Sequence, residues 1–180
     1  GISKKFSQGA LIETGGDLDV AIEGDGFFEV IMPDGTSSYT RDGSFKVNST
    51  GEVVTGDGYK VAAIDTVDSG TTDMTIAPDG SFSTVVDGVQ TSKSRITLVR
   101  FINPEGLRAI GKNLYQETDA SGTPQTGNNP GEKGVGFLAH RHIESSNVNA
   151  AEELVNMITT QRAYEATSKA IRASDEMLGM

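Results

Sequence analysis

His140 and His142, with Arg141 between them, are the only histidines in a chain of 180 residues. In a strand, alternate side chains face the same way, so the pair could offer two imidazoles to a metal. A zinc site takes three or four protein ligands, and two are too few. The pair therefore reads as surface or interface histidines. Asp17, Asp19, Glu23 and Asp25 form an acidic cluster beside glycines. A calcium loop of EF-hand type needs an oxygen ligand at its fifth position and Gly at its sixth. Counted from Asp17, those positions hold Ala21 and Ile22, so the cluster reads as a solvated turn. Gly24-Asp25-Gly26 and Gly134-Val135-Gly136 lack the further glycine and the strand-to-helix setting of a phosphate loop. Cysteine is absent, which removes thiolate chemistry and disulfides. No side chain reads as a nucleophile set beside a base, so the expectation is no enzyme, no cofactor and no metal.

Charge narrows the partners. The net charge is −10, and residues 1–146 carry 20 acidic against 12 basic side chains. Phosphate backbones need a basic face, so nucleic acid is not expected, and an anionic membrane surface is disfavoured for the same reason. No apolar run approaches the roughly 20 residues of a membrane span, so membrane insertion is not expected. The first residue is Gly rather than Met, so the chain reads as a piece of a longer protein.

The elements that must carry any function divide sharply in two. Up to residue 144, six Asp-Gly steps (at 25, 34, 42, 57, 79 and 87) separate short alternating runs. That is an antiparallel, hairpin-rich pattern. Leu18, Val20 and Ile22 read as a strand with one dry face. Phe27 to Met32, apolar on both sides, reads as the most buried strand. Further strands are expected at Ser38–Arg41, around Phe45–Val47, Val53–Val54, Tyr59–Val61, Met74–Ile76, Phe82–Val86, Ile96–Phe101 and Leu114–Tyr115. Ala120 to Gly136 reads as loop.

From Asn147 the pattern becomes helical. Asn149 suits an N-cap, and Glu152 stands three positions on, as a capping box requires. No Pro or Gly interrupts Ala150 to Leu178, and Gly179 supplies a stop. Such a helix would run for roughly 29 residues, or about 43 Å. Ala150, Met157, Tyr164, Ile171 and Leu178 recur every seven residues, with Leu154 in the intervening row. Gln161, Ser168 and Asp175 interrupt that row, leaving half a coiled-coil seam. A second stripe holds Ala163, Ala166, Ala170, Ala173 and Met177. Two stripes suggest two partners; a helix folded back on its own domain is the alternative. The expected fold is thus mainly β, an antiparallel hairpin-rich body over 1–144, followed by one long C-terminal α-helix over 145–180.

Particular stretches carry a family resemblance. Gln8-Gly9-Ala10-Leu11, then Leu18-Asp19-Val20-Ala21-Ile22-Glu23-Gly24-Asp25-Gly26-Phe27-Phe28, Tyr39-Thr40-Arg41-Asp42-Gly43-Ser44-Phe45 and Gly51-Glu52-Val53-Val54-Thr55 are similar to the central region of the bacterial flagellar axial proteins. Phe101-Ile102-Asn103-Pro104-Glu105-Gly106-Leu107, Gly111-Lys112-Asn113-Leu114-Tyr115, Glu144-Ser145-Ser146-Asn147-Val148 and Gln161-Arg162-Ala163-Tyr164-Glu165 resemble the distal-rod members of that family more narrowly. Gly16-Asp17 departs from the Asn-Pro often found there.

The resemblance implies a structural subunit of the flagellar distal rod. Such a subunit self-assembles into a hollow helical drive shaft between motor and hook. It implies a place in the basal body, from the periplasm to the outer-membrane rings. The implied partners are further copies of itself, other rod proteins, the hook protein, the P- and L-ring proteins around the rod, and the flagellar export apparatus. Family members begin with a long N-terminal helix, absent from this sequence, that pairs with the C-terminal helix. Subunit packing is therefore expected to fall on Leu154, Met157, Ile158, Tyr164, Ile171 and Leu178. The acidic body would limit adhesion to the surrounding bushing. Another axial protein (proximal rod or hook) and, more distantly, a secreted calcium-binding or adhesive β module are the alternatives.

Overall fold

The computed structural model describes residues 8–146, 157–169 and 171. Two compact units part between Ser145 and Ser146. The first is built from strands β1 (Leu11–Glu13), β2 (Val20–Glu23), β3 (Phe28–Ile31), β4 (Ser37–Thr40), β5 (Lys46–Val47), β6 (Val53–Val54), β7 (Lys60–Val61) and β8 (Thr71–Ile76). It continues with β9 (Ser81–Val86), β10 (Val89–Arg95), β11 (Leu98–Arg100), β12 (Arg108–Gly111), β13 (Leu114–Gln116), β14 (Gln125–Asn128), β15 (Phe137–His140) and β16 (His142–Glu144). In the second unit, residues 157–169 and 171 are helical and form α1.

Short side chains set the turns. Asp34, Asp42 and Asp79 each open an Asp-Gly-Ser/Thr triplet, and each carboxylate accepts from the N–H and the hydroxyl of the third residue. Those bonds hold the Asp34 and Asp79 carboxyls below the usual carboxylate range. In Met32–Thr36 and Ala77–Ser81 the first residue exchanges backbone bonds with the fifth and the fourth. The fourth is Gly at φ 82° or 87°. This is a type I turn closed by a left-handed residue, a common three-residue hairpin loop. Asp87-Gly88, with φ 51° and 77°, instead makes the two-residue type I′ loop between β9 and β10. Gly43 has another role: a Cβ there would lie 1.7 Å from the Val20 carbonyl oxygen, so two backbones touch where a side chain cannot fit.

Every strand pairing is antiparallel. A seven-stranded sheet runs β12-β13-β4-β3-β7-β6-β5, a three-stranded sheet runs β10-β9-β8, and β1-β16, β11-β14 and β2-β15 form pairs. Phe28 and Val30 of β3 enter the larger core with Val20, Ile22, Phe82 and Leu98. Tyr39, opposite Glu29 in the register, enters a smaller aromatic core with Phe27, Phe101 and Leu107. The Phe101 ring meets Tyr39 edge-on at 4.8 Å and Phe27 at 5.8 Å between centroids.

The architecture is the mainly antiparallel β body and single C-terminal helix that the pattern implied. Several details differ. Val20, Ala21 and Ile22 of β2 are all fully buried, so both of its faces are dry; Ala21 is small enough for a close-packed second layer. In β3, Ile31 is exposed beside the hairpin loop, and β2 is the more buried strand. Seven stretches that were not expected as strands are strands: β1, the start of β8, β10, β12, β14, β15 and β16. β10 (Val-Gln-Thr-Ser-Lys-Ser-Arg) is an edge strand exposed over most of its length, so it needs no apolar alternation. β14 falls inside the expected loop and is fixed to β11 by buried Asn128, whose amide donates to the carbonyls of Leu98 and Gln125. Arg141, at φ 60°, separates β15 from β16, so His140 and His142 do not share one continuous strand. The expected N-cap at Asn149, the capping box with Glu152 and the stop at Gly179 lie outside the described residues.

Candidate subunit-packing site

On α1 the apolar stripe is in solvent. Met157 is 57% exposed, Ile158 49%, Tyr164 76% and Ile171 58%. Soluble proteins normally reserve such side chains for a core or an interface. Ala163 and Ala166 of the second stripe are exposed too. Thr167 turns its hydroxyl back to the Ala163 carbonyl at 2.9 Å, leaving no polar group to break the seam there. Leu154 and Leu178 lie outside the described residues. Four of the six residues expected to pack between subunits are thus helical and exposed, and 157, 164 and 171 stand seven apart.

The body has its own anchoring point, which sequence reasoning missed. β1 and β16 pair from Leu11↔Glu144 to Glu13↔His142, and Ser145 N–H donates to Ala10 O at 2.8 Å. Residues 9 and 145 are therefore neighbours. Arg41 ties this clasp to the core. Its Nε donates to Glu144 Oε2 at 2.9 Å, Nη1 to the carbonyls of Gly24 and Gly26 at 3.1 Å each, and Nη2 to Ile22 O at 3.4 Å. Glu144 Oε1 accepts Gly9 N–H at 2.8 Å. The Gln8 side chain donates to Ile22 O and accepts from Gly24 N–H. The Arg41 and Glu144 side chains are only 15% and 11% exposed. The signal was present in part, since Arg41 and Glu144 both sit in resemblance motifs, but 103 residues of separation hide the pairing.

The candidate chemical groups become structural ties. Arg141 bridges Asp17 at 2.8 Å and Asp73 at 3.4 Å. Asp19 accepts the Thr14 hydroxyl, and His140 Nε2 lies 2.9 Å from Asp17 O. His142 Nδ1 lies 2.7 Å from His140 O. Among the described residues no three His, Asp or Glu side chains gather as a metal site. Burial pushes the Tyr39 phenol up to about 12, with Glu29 and Glu117 adding to the effect.

The β body keeps residues 9 and 145 side by side, and α1 carries an exposed apolar stripe. Comparison with known proteins identifies the class. The family model described as "Flagellar hook protein FlgE/F/G D1 domain" matches residues 21–84. That described as "Flagellar basal body rod FlgEFG protein C-terminal" matches 139–180. A flagellar basal-body rod protein FlgG of Buchnera aphidicola from Acyrthosiphon pisum is 49% identical over 96% of this chain and 66% of its own length. The FlgG of Borreliella burgdorferi is 48% identical over 97% of this chain and 67% of its own, and that of Bacillus subtilis 41% over 96% and 67%. The chain belongs to the flagellar rod and hook protein family. The relatives that carry this match are rod proteins of FlgG type, and the chain spans about two thirds of their length.

Proposed function

We propose that the chain is a structural subunit of the flagellar distal rod, packing with copies of itself into a hollow helical drive shaft that carries torque from motor to hook. The observation that carries this is the solvent-exposed stripe Met157, Ile158, Tyr164 and Ile171 on α1. Burying each such side chain is worth about 1.5–3 kcal/mol, so helix-to-helix contact between subunits has a large driving force. A contact between two different patches that does not close on itself builds a filament. In this reading α1, with Leu154 and Leu178 on the same seam, forms the inner layer of the shaft. The β body forms the outer layer, held at its clasp.

The flanking partners are other rod proteins below, the hook protein above, the P- and L-ring proteins around the shaft, and the export apparatus that delivers the subunit. The shaft runs from the periplasm to the outer-membrane rings. The acidic surface of the body suits a shaft that must turn inside a ring without sticking to it.

The test is Tyr164→Asp in the full-length protein. The body should fold with unchanged strand circular dichroism, while rods fail to form and motility is lost. Normal rods and swimming would contradict the helix-packing reading.

A further inference from the structure

Among the described residues of the β body, the two most exposed large apolar side chains are Ile102 at 78% and Val89 at 65%. Each stands two residues from a charge, and the two charges are opposite. Arg100 makes one long hydrogen bond, to Lys133 O at 3.4 Å, and no ion pair among the described residues. The Asp87 carboxylate is in no ion pair among the described residues either.

Both surfaces are rigidly presented. Asp87-Gly88 is a type I′ turn at the tip of the β9–β10 hairpin, with Val89 opposite Val86 in the register. Arg100 and Ile102 line one open cleft of about 120 Å³, walled by Phe27, Phe101 and Pro104. Asp25 and Arg41 complete its wall, and Arg41 is committed to Glu144. The loop after Ile102 is braced by Asn103 N–H to Ser121 O, Asn103 Nδ2 to Ala120 O, and the Thr118 hydroxyl to Gly106 O. Ordered apolar groups lose little entropy on docking.

The tip and the cleft of one copy cannot meet. Ile96 N–H donates to Gly80 O at the base of the hairpin. Six residues of β9 at about 3.3 Å each carry the tip roughly 20 Å from that crossing. The chain that follows Ile96 leads into Leu98 and Arg100 at the base.

We propose that the tip Asp87-Gly88-Val89 of one copy seats in the Arg100–Ile102 cleft of a second copy, Asp87 against Arg100 and Val89 against Ile102. Tip and cleft are different patches, so the contact is heterologous and propagates where its rotation does not close a ring. It rests on the polymer proposed above and adds to the helix seam a body-to-body contact.

None of these 180 residues is cysteine, so no thiol within them competes with those introduced. Asp87→Cys and Arg100→Cys are placed together in the full chain, which is then brought to assembling concentration and treated with a short bismaleimide. An Asp–Arg contact holds the two Cβ atoms too far apart for a disulfide. The double variant should give a ladder of dimers, trimers and higher species on a denaturing gel, and each single variant at most dimers. Separately, Asp87→Arg or Arg100→Asp should cut the sedimenting fraction about tenfold, and the two together should restore it. Sedimenting polymer without a ladder, with charge reversal of no effect, overturns the contact and leaves the rod reading standing. Failure of the native chain to polymerise, with no ladder, overturns both.

Discussion

Arg41→Ala removes the group that holds the body's two chain ends to its core. The side chain donates to Glu144 and to the carbonyls of Ile22, Gly24 and Gly26. After truncation the Glu144 carboxylate, 11% exposed, keeps only its bond from Gly9 N–H. Breaking a buried pair from one side costs about 3–5 kcal/mol, because a charge is left buried without compensation. The low end, about 3 kcal/mol, applies here, since both side chains keep some contact with water. At roughly 2–4 °C per kcal/mol for a chain of this size, the melting temperature should fall by about 6–12 °C. Urea and thermal unfolding followed by far-UV circular dichroism of the strands would read the loss. Lys60→Ala is the control: Lys60 and Glu52 pair at 2.8 Å but are 45% and 34% exposed. Solvent screens that pair, so its loss should leave the melting temperature almost unchanged. Arg41→Met combined with Glu144→Met should cost less than the two single changes added, because neither charge is then stranded. An Arg41→Ala variant no less stable than Lys60→Ala would refute the clasp.

Three further outcomes follow from the geometry. Gly43→Ala drives a methyl into the Val20 carbonyl, so it should abolish folding or cost more than about 3 kcal/mol, while Gly56→Ala, with open space around it, should be near neutral by the same melts. Phe82→Ala, at a fully buried site, should cost about 3–5 kcal/mol in the same assay. Tyr39 stays protonated in the folded state up to about pH 12, whereas the unfolded phenol ionises near its ordinary value of 10.0. The unfolded chain thus holds fewer protons above that value, and stability should fall as pH rises through this window and then level off. The loss is about 2–3 kcal/mol, and Tyr39→Phe should remove it in melts taken across that range.

The hairpins were legible because their chemistry is local. Asp34-Gly35-Thr36, Asp57-Gly58 and Asp79-Gly80-Ser81 carry their own turn geometry, and the runs between them alternate. Asp25-Gly26 and Asp42-Gly43 were legible as breaks but not as the close backbone approach that Gly43 makes to Val20. β10 and β14 were silent because an exposed edge strand, or one held by an Asn amide, needs no apolar period. The exposed apolar stripe was legible from the spacing of Met157, Tyr164 and Ile171. Arg41 was not: its partners come from Ile22, Gly24, Gly26 and Glu144, and only the fold brings them together.

Amide hydrogen exchange of residues 157–169, in the free chain and in assembled rods, tests the central claim most directly. If the stripe of Met157, Tyr164 and Ile171 is the packing surface, exchange there should slow by about a hundredfold or more on assembly, a change of roughly 3 kcal/mol in local opening. The buried strands β2 and β3 should change little. Equal exchange of the helix in the free and assembled states would contradict the account.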